Sequence, residues 1–261
     1  MTIVELVFIS WLLMVPVMLA LWLVQRIYQN AVIADLGFCL GLGVIVLGYA
    51  AVVEGDPMRR VLVGTMGAVY AFRLGLHLFF HRIYNKPEDA RFQRLRRQWG
   101  NRSQYYFFLY FQGQTIAIAV FSLPLLVLMQ NTEPGISIWE VMGILVWMIA
   151  VGGEAVADAQ LTRFRAQPVN AGKTCRKGLW RYSRHPNYFF EGMHWCAYVI
   201  MGIGVPHGWV TLIGPVLMIW GLLKVTGIPF SEAQALSSRG EDYRHYQRTT
   251  SAFIPWFPKK L

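Results

Sequence analysis

The chain is a succession of long apolar runs separated by short polar segments. A run of about 20 residues is enough for an α-helix to cross the hydrocarbon core of a bilayer. The apolar runs cover approximately residues 3–24, 32–53, 61–80, 105–129, 137–157, 189–205 and 208–223. Only Val205-Pro206-His207-Gly208 separates the short sixth run from the seventh, so these two form a tight helical hairpin, and a count of six spans stays open. The pattern predicts an all-α integral membrane protein, folded as a seven-transmembrane-helix bundle.

Basic residues are distributed unevenly among the predicted loops. Of 24 Lys and Arg residues, 21 lie in the first, third and fifth loops and after the last run. Arg59 and Arg60 lie on the opposite side, and Arg73 lies inside a run. Because cytoplasmic loops carry the excess of Lys and Arg in membrane proteins, the N-terminus is predicted outside and the C-terminus in the cytoplasm. This distribution accounts for the net charge of +10 without a nucleic acid partner.

The composition agrees with a membrane location. Hydrophobic residues make up 55% of the chain and charged residues only 15%, and the mean hydropathy is +0.39. Soluble globular proteins have about 25% charged residues. The three cysteines Cys39, Cys175 and Cys196 are too few for a disulfide framework. No internal repeat or long linker is visible, so a single membrane domain over 1–261 is predicted.

Ionisable side chains inside apolar runs are the first candidates for function, because they are costly there unless they are paired or face water. Asp35 lies near the start of the second run, and Arg73 and His77 lie near the end of the third, with Tyr70 one helical turn before Arg73. These groups lie about 5 to 10 Å below the same membrane boundary, so Asp35 is expected to reach Arg73 or His77. The same half of the membrane also contains Glu154, Asp158, Glu191 and His194. Together they predict a polar cavity open to the cytoplasm, although each alone is equally explained as a neutralised pair between helices.

The segment before the sixth run holds the most specific string of the chain, Gly178-Leu-Trp-Arg-Tyr-Ser-Arg-His-Pro-Asn-Tyr-Phe-Phe-Glu191. Pro186 suits the first turn of a helix, where its missing N–H costs nothing. Unpaired backbone amides at such a helix start, with Arg181, Arg184 and His185 nearby, favour binding of a phosphate. From spacing alone, cytoplasmic charge and an ordinary helix start explain the string equally well.

This string resembles the bacterial branch of the steroid 5α-reductase family. The likeness continues in Gly227-Ile-Pro, Arg239-Gly-Glu-Asp-Tyr-Arg-His-Tyr-Gln and Thr250-Ser-Ala-Phe-Ile-Pro-Trp-Phe-Pro-Lys-Lys260. It covers the chain from about Asp35 to the end and is strongest after Asp158. The resemblance implies a seven-helix membrane enzyme that uses NADPH to reduce a carbon–carbon double bond conjugated to a ketone, as in a 3-oxo-Δ4-steroid.

The resemblance also implies a cytoplasmic cofactor-binding loop at 158–188 and a cofactor-binding tail at 224–261. An Asp and an Arg seven residues apart, and an Asn and a Glu four apart, match cofactor-binding pairs of the family. Lys224 stands where the family has Arg, and Glu154 stands where better-known members have Asn. The implied cofactor-binding residues are Glu154, Asp158, Arg165, Arg184, His185, Asn187, Tyr188, Glu191, Lys224 and Tyr243.

The catalytic pair of the animal enzymes is a Glu on the second span and a Tyr on the third, the latter in a Tyr-x-x-Arg string. Tyr70-Ala-Phe-Arg73 matches that string, and a similar separation along the chain reaches Asp35 rather than Glu54. The resemblance therefore implies Tyr70, Asp35 and Arg73 as catalytic residues, with Asp35 in contact with either of the other two. A tyrosine, whose ordinary pKa is near 10, is a protonated donor for a carbonyl oxygen that gains negative charge.

Two other classes of protein stay open. A turn of the form Arg-His-Pro-x-Tyr followed by Glu also occurs in membrane methyltransferases that bind S-adenosylmethionine and act on isoprenylated cysteine or phospholipid. Asn187 and the Tyr70-x-x-Arg73 string favour the reductase. A transporter or receptor would also explain buried charges in seven spans, but no inverted repeat of broken helices is visible.

The expected partners follow from the reductase hypothesis. NADPH is the expected cofactor, and a steroid or another apolar enone is expected to enter from the bilayer. No metal is expected, because the His and Cys residues lack the spacing of metal ligands. The bacterial inner membrane is a better expectation for the location than the endoplasmic reticulum.

Overall fold

The computed structural model describes residues 1–259, so Lys260 and Leu261 of the predicted tail 224–261 lie outside the described residues. Over this range the chain is helical and has no β-strand, only an isolated bridge between Ser183 and Ser251. The helices are α1 (Ile3–Tyr28), α2 (Ile33–Val52), α3 (Pro57–Leu78), α4 (Ala90–Trp99), α5 (Ser103–Met129), α6 (Ile138–Ala166), α7 (Pro186–Met201), α8 (Ile213–Trp220) and α9 (Ile228–Thr249). The prediction of an all-α fold is therefore confirmed.

Several helices have the length and apolar character of membrane spans, which makes the chain an integral, multi-pass membrane protein. Within residues 1–259 six qualify, namely Ile3–Tyr28, Ile33–Val52, Pro57–Ile83, Ala90–Met129, Ile138–Ala166 and Gly208–Thr249. The last of these has 42 residues, about twice the length that a span needs, and its charged part, α9, follows the apolar part that could cross the membrane. With 16 residues, α7 is about 24 Å long, which is short for a span. Seven spans and the outside position of the N-terminus stay predictions.

Within the predicted domain 1–261 the structure forms two compact units. Unit 1 comprises Met1–Ser137 and Gly202–Ile213, and unit 2 comprises Ile138–Met201 and the chain from Gly214 onward. Unit 1 contains α1 to α5. Unit 2 contains α6 to α9 and the segment that follows α9.

Unit 1 is a bundle in which α2 and α5 both pack against α3. Gly67 makes this possible, because a Cβ atom there would lie 2.5 Å from Leu125 Cδ2 on α5 and 2.9 Å from Val46 Cγ1 on α2. At the end of α3 opposite to Tyr70, the buried Arg59 fixes the loop that follows α5. Its guanidinium donates to the carbonyls of Asn131, Glu133 and Gly135 at 2.7 to 3.0 Å.

Unit 2 is organised by the close pair α6 and α7. A Cβ atom at Gly143 of α6 would lie 2.8 Å from the carbonyl oxygen of Ala197, so only glycine permits this approach of the two helices. Helix α9 is kinked at Gly240, where φ is +52°, a value that L side chains rarely adopt. After α9 the chain runs back along the segment before α7, where the Arg184 amide donates to the Ser251 carbonyl at 2.8 Å.

Candidate functional site

The turn that precedes α7 is fixed by backbone and hydroxyl hydrogen bonds. Ser183 is fully buried, and its hydroxyl accepts the His185 amide at 3.1 Å and donates to the Phe253 carbonyl at 2.8 Å. The Tyr246 hydroxyl donates to the Ser183 carbonyl at 3.0 Å. Helix α7 then begins at Pro186, as the position of a proline in the first helical turn predicts. The turn is therefore held in one conformation by the chain that follows it.

Asn187 in the first turn of α7 is joined to Asp158 near the end of α6. Its Nδ2 donates to Asp158 Oδ1 at 3.2 Å. The Trp180 indole donates to the Ala157 carbonyl at 2.9 Å, which attaches the segment between α6 and α7 to the same turn of α6. The other amide atom, Asn187 Oδ1, is buried and accepts no hydrogen bond within residues 1–259. An acceptor is thus available at this position to a ligand that carries an N–H or O–H group.

Two buried carboxylates flank this contact. Glu154 lies one helical turn before Asp158 on α6, and Glu191 lies one turn after Asn187 on α7. The two helices touch here because Gly153 has no side chain, and a Cβ atom there would lie 2.4 Å from the Phe190 ring. The structure therefore places these four predicted cofactor residues on adjoining turns of α6 and α7.

The side chains of Arg184 and His185 contact α9. Arg184 Nε donates to Glu232 Oε1 at 2.6 Å, and its Nη1 donates to the carbonyls of Gln247 and Thr250 at 3.0 and 2.6 Å. His185 Nε2 lies 3.3 Å from the same carboxylate oxygen, and the His185 ring stacks on Tyr188 at 5.3 Å. Arg184 and His185 were expected to be available to phosphate groups. The structure instead uses the Nε and Nη1 groups of Arg184 to attach the turn to α9.

Glu232 therefore organises a cluster that consists of Glu232, Arg184, His185, Tyr243 and Gln247. Gln247 donates to Glu232 Oε2 at 2.8 Å, and the Tyr243 hydroxyl lies 3.4 Å from Oε1. Burial opposes ionisation of this carboxyl, but hydrogen bonds from His185 and Arg184 outweigh it and hold the pKa of Glu232 at about 2. Burial lowers the pKa of His185 below its ordinary value, against the opposing effect of Glu232. At neutral pH the cluster thus holds a charged Glu232 beside a neutral His185.

Sequence reasoning missed Glu232 and Gln247. Glu232 lies in a polar helix after the last apolar run, where a carboxylate is ordinarily solvated. A signal exists in the spacing, because Glu232 and Tyr243 are eleven residues apart and would share one face of a straight helix. The kink at Gly240 interrupts that face, so the spacing alone does not establish the contact.

The remaining predicted cofactor residues lie at the surface of unit 2. Arg165 is exposed in the last turn of α6, and Lys224 is exposed in the π-helical turn Gly221–Val225. Their roles stay predictions. Among residues 1–259, no group of three or more His, Cys, Asp or Glu side chains is arranged to hold a metal ion.

In unit 1 the structure corrects the expected environment of Asp35. Its Oδ2 pairs with Arg91 Nη2 of α4 at 2.6 Å, and its Oδ1 accepts the Tyr110 hydroxyl of α5 at 2.7 Å. Contact with Tyr70, Arg73 or His77 was expected. Asp35 instead shares a face of α2 with Phe38, three residues on, whose ring packs on Phe121 of α5.

Helix α3 meets α2 about a quarter turn further round. A Cβ atom at Gly75 of α3 would lie 3.2 Å from Leu40 Cδ2, 3.4 Å from Cys39 Cβ and 3.6 Å from Leu36 Cδ1, a side of α2 centred about 100° from Asp35. The depth of Asp35 along the membrane normal was therefore a poor guide to its partner, because rotation about the helix axis decides which neighbour it reaches. Tyr70 is 2% exposed in α3, and Arg73 is partly buried one turn further along.

Comparison with known proteins gives a family. Residues 21–250 match the family described as protein of unknown function (DUF1295), and the chain belongs to that family. The family is associated with steroid 5α-reductase-like membrane proteins. No curated protein and no solved structure matches the chain. The matched range includes every candidate residue from Asp35 to Tyr243, so the relationship inferred from the motifs is confirmed at this coarser level.

Proposed function

We propose that the protein catalyses the NADPH-dependent reduction of the carbon–carbon double bond of a 3-oxo-Δ4-steroid or a similar enone lipid. The observation that carries the proposal is the Asn187–Asp158 contact at the start of α7, on a turn that Arg184 attaches to Glu232. It joins two residues that the family resemblance assigns to the cofactor, at a helix start that suits an anionic ligand. Membership of a family associated with steroid 5α-reductase-like proteins supports the same function.

The donors and acceptors of unit 2 fit NADPH. Asn187 Oδ1, the buried acceptor, suits the N–H of a carboxamide. The carboxylates of Glu154, Asp158 and Glu191 suit the hydroxyl groups of a ribose. Exposed Arg165 and Lys224 suit phosphate groups. When bound, NADPH supplies a hydride, and the residues of this chain bind and orient it.

The role of unit 1 in this reaction is to stabilise charge. Reduction of an enone places negative charge on the carbonyl oxygen, and a hydrogen-bond donor held in a buried site stabilises that charge. Tyr70 is such a donor, and Arg73, one turn away, adds positive charge. The carboxylate of Asp35 already bonds to Arg91 and Tyr110, so the proposal assigns it no direct contact with the substrate.

Ligand binding to the purified protein in detergent tests the class of function. A ligand that binds the folded state raises the midpoint of thermal unfolding by mass action. We expect NADPH to raise it and S-adenosylmethionine to leave it unchanged. A shift with S-adenosylmethionine alone would make the protein a methyltransferase, and no shift with either would favour a transporter or receptor.

Two variants locate the binding site. Asn187→Ala should reduce the shift caused by NADPH, whereas Asn101→Ala, at an exposed position of unit 1, should retain it. Oxidation of NADPH in the presence of a 3-oxo-Δ4-steroid would then identify the reaction. Binding of NADPH without oxidation by any enone would restrict the protein to nucleotide binding and contradict the proposed reaction.

A further inference from the structure

The segment 250–259 that follows α9 has a fixed backbone. Ser251 bridges to Ser183, and the Trp256 amide donates to the Tyr182 carbonyl at 2.9 Å. The Lys259 amide donates to the Thr249 carbonyl at 2.8 Å. The segment is therefore attached at three points to unit 2, and its side chains project from an ordered backbone. We call it the C-terminal strap.

The strap lies beside the first two turns of α7. The Phe253 ring packs against the Phe189 ring, with centroids 5.9 Å apart. A Cβ atom at Gly192 would lie 3.4 Å from Phe253 Cζ. Phe189 and Gly192 are the fourth and seventh residues of α7, so Phe253 lies beside the end at which this apolar helix begins. Helix α7 is a predicted span, so the strap lies where that helix is expected to enter the membrane.

Large apolar side chains of the strap are exposed immediately after Phe253. Ile254 is 63% exposed, Trp256 70% and Phe257 76%. Trp and other aromatic residues are enriched at the boundary between headgroups and acyl chains, where an apolar ring gains by burial. Because the backbone is already ordered, inserting these rings into that boundary costs little conformational entropy.

Basic and hydroxyl groups accompany the exposed rings. A cavity of about 360 Å³ is lined by Arg184, Arg248, Lys259, Trp256 and Phe257, and by Thr249, Thr250 and Ser251. No acidic residue of the described chain lines it. Arg184 uses its Nε and Nη1 toward Glu232 and two carbonyls, so exposed Arg248 and Lys259 are the cations available to a ligand. Two cations beside apolar rings match the phosphate and acyl chains of a phospholipid.

We propose that the C-terminal strap anchors unit 2 to the membrane surface by binding an anionic phospholipid. Trp256 and Phe257 insert at the boundary between headgroups and acyl chains, and Arg248 and Lys259 bind the headgroup phosphate. This role goes beyond the proposed reductase activity, because it involves no nucleotide or enone, and it assigns the end of the tail 224–261, which the resemblance gives to the cofactor, to a lipid instead. It also explains why a segment held so firmly exposes its largest apolar side chains.

Quenching of tryptophan fluorescence tests the insertion. The full-length protein is placed in nanodiscs that contain phosphatidylcholine brominated near the headgroup end of its acyl chains. We expect Trp256→Phe to lower the quenched fraction of the total emission, because a lipid-exposed indole has been removed. Trp180→Phe, which removes a buried indole, should raise that fraction. A quenched fraction that Trp256→Phe leaves unchanged or raises would overturn the insertion.

Lipid-dependent stability tests the charge contacts. Phosphatidylglycerol should raise the unfolding midpoint of the detergent-purified protein more than phosphatidylcholine does, and inorganic phosphate should not reproduce the effect. Arg248→Gln combined with Lys259→Gln should weaken the apparent affinity for phosphatidylglycerol about 30-fold, since each basic residue at an anionic surface contributes about 1 kcal/mol. Arg239→Gln combined with Arg244→Gln removes the same charge from α9 outside the cavity and should weaken it less. Equal effects of the two double variants, or an equal shift with inorganic phosphate, would overturn the lipid site.

Discussion

Unit 1 and unit 2 each contain a carboxylate paired with an arginine, and the two pairs are built differently. Asp35 on α2 pairs with Arg91 of α4 and accepts a hydrogen bond from Tyr110 of α5, so its bonds join three helices of one bundle. Glu232 on α9 accepts hydrogen bonds from Arg184 and Gln247, so its bonds attach an irregular turn to a polar helix. The turn attached by Glu232 carries the candidate cofactor residue Asn187. An ionisable residue in an apolar run can thus be structural, while an inconspicuous carboxylate in a polar helix positions the candidate site.

The largest expected effect separates the chemical roles of the two units. Tyr70→Phe in unit 1 should lower the rate of enone reduction about 100- to 1000-fold, the usual cost of losing one donor to a developing oxyanion. Binding of NADPH, measured by thermal shift, should stay as in the unmodified protein. Tyr106→Phe, in which a partly exposed hydroxyl on α5 is removed, is the matched control and should retain the rate. Unchanged turnover in Tyr70→Phe would remove Tyr70 from the mechanism.

Removing the carboxylate of the Glu232 cluster tests whether unit 2 depends on it. Glu232→Ala leaves the Arg184 guanidinium without a carboxylate in a site where the two side chains are 11% and 15% exposed, so the free energy of unfolding should fall by about 3 kcal/mol. The affinity for NADPH should fall as well, because the turn that carries Asn187 loses its attachment to α9. Both are measured by thermal unfolding with and without NADPH.

Glu241→Ala is the control for that variant. Its carboxylate pairs with Arg244 at an exposed position of the same helix, so the expected loss is below about 0.5 kcal/mol. If Glu232→Ala proved equally mild and bound NADPH normally, the Glu232 cluster would be a surface contact without influence on the site.

The two pairs also show which parts of the structure follow from sequence. Apolar runs predict the helices well, because burial in lipid requires length and hydrophobicity that are visible in the sequence. The start of α7 at Pro186 follows from local chemistry in the same way. The partner of Asp35 could not be predicted from the sequence, because it depends on the rotation of α2 about its axis. The role of Glu232 could not be predicted either, because its contact with Arg184 joins positions 48 residues apart across a loop and a kinked helix.

A smaller loss is expected in unit 1 from Asp35→Asn. Arg91 and Asp35 are more exposed, at 17% and 23%, than the pair in unit 2, so the expected loss of stability is about 2 kcal/mol. Tyr110→Phe should cost about 1 kcal/mol, the value of one hydrogen bond. The double variant should cost less than the sum, because both substitutions disrupt one network.

Activity decides whether Asp35 is only structural. With turnover measured below the unfolding temperature of each variant, Asp35→Asn and Tyr110→Phe should both retain activity. A loss of turnover of 100-fold or more in Asp35→Asn, without a matching loss in Tyr110→Phe, would restore Asp35 to the catalytic residues and contradict a purely structural role.

The smallest effect concerns pH and is expected from unit 2. Burial lowers the pKa of His185 below its ordinary value of 6.5, so the stability associated with the neutral ring is complete above pH 6.5 and is lost as the pH falls through the lowered pKa. Glu232, with its pKa lowered from 4.5 to about 2, contributes to stability in full above pH 4.5 and loses this contribution as the pH falls toward 2.

The unfolding midpoint should therefore fall in two stages on acidification. His185→Gln should flatten the first stage, and His245→Gln, at an exposed position of α9, should flatten neither. Glu232→Gln should reduce the second stage, to which Asp242, whose pKa is lowered against the opposing effect of burial by its hydrogen bonds with Thr174, also contributes. A first stage that persists in His185→Gln would mean that another group in the protein titrates there, and that His185 is not the first member of the cluster to take up a proton.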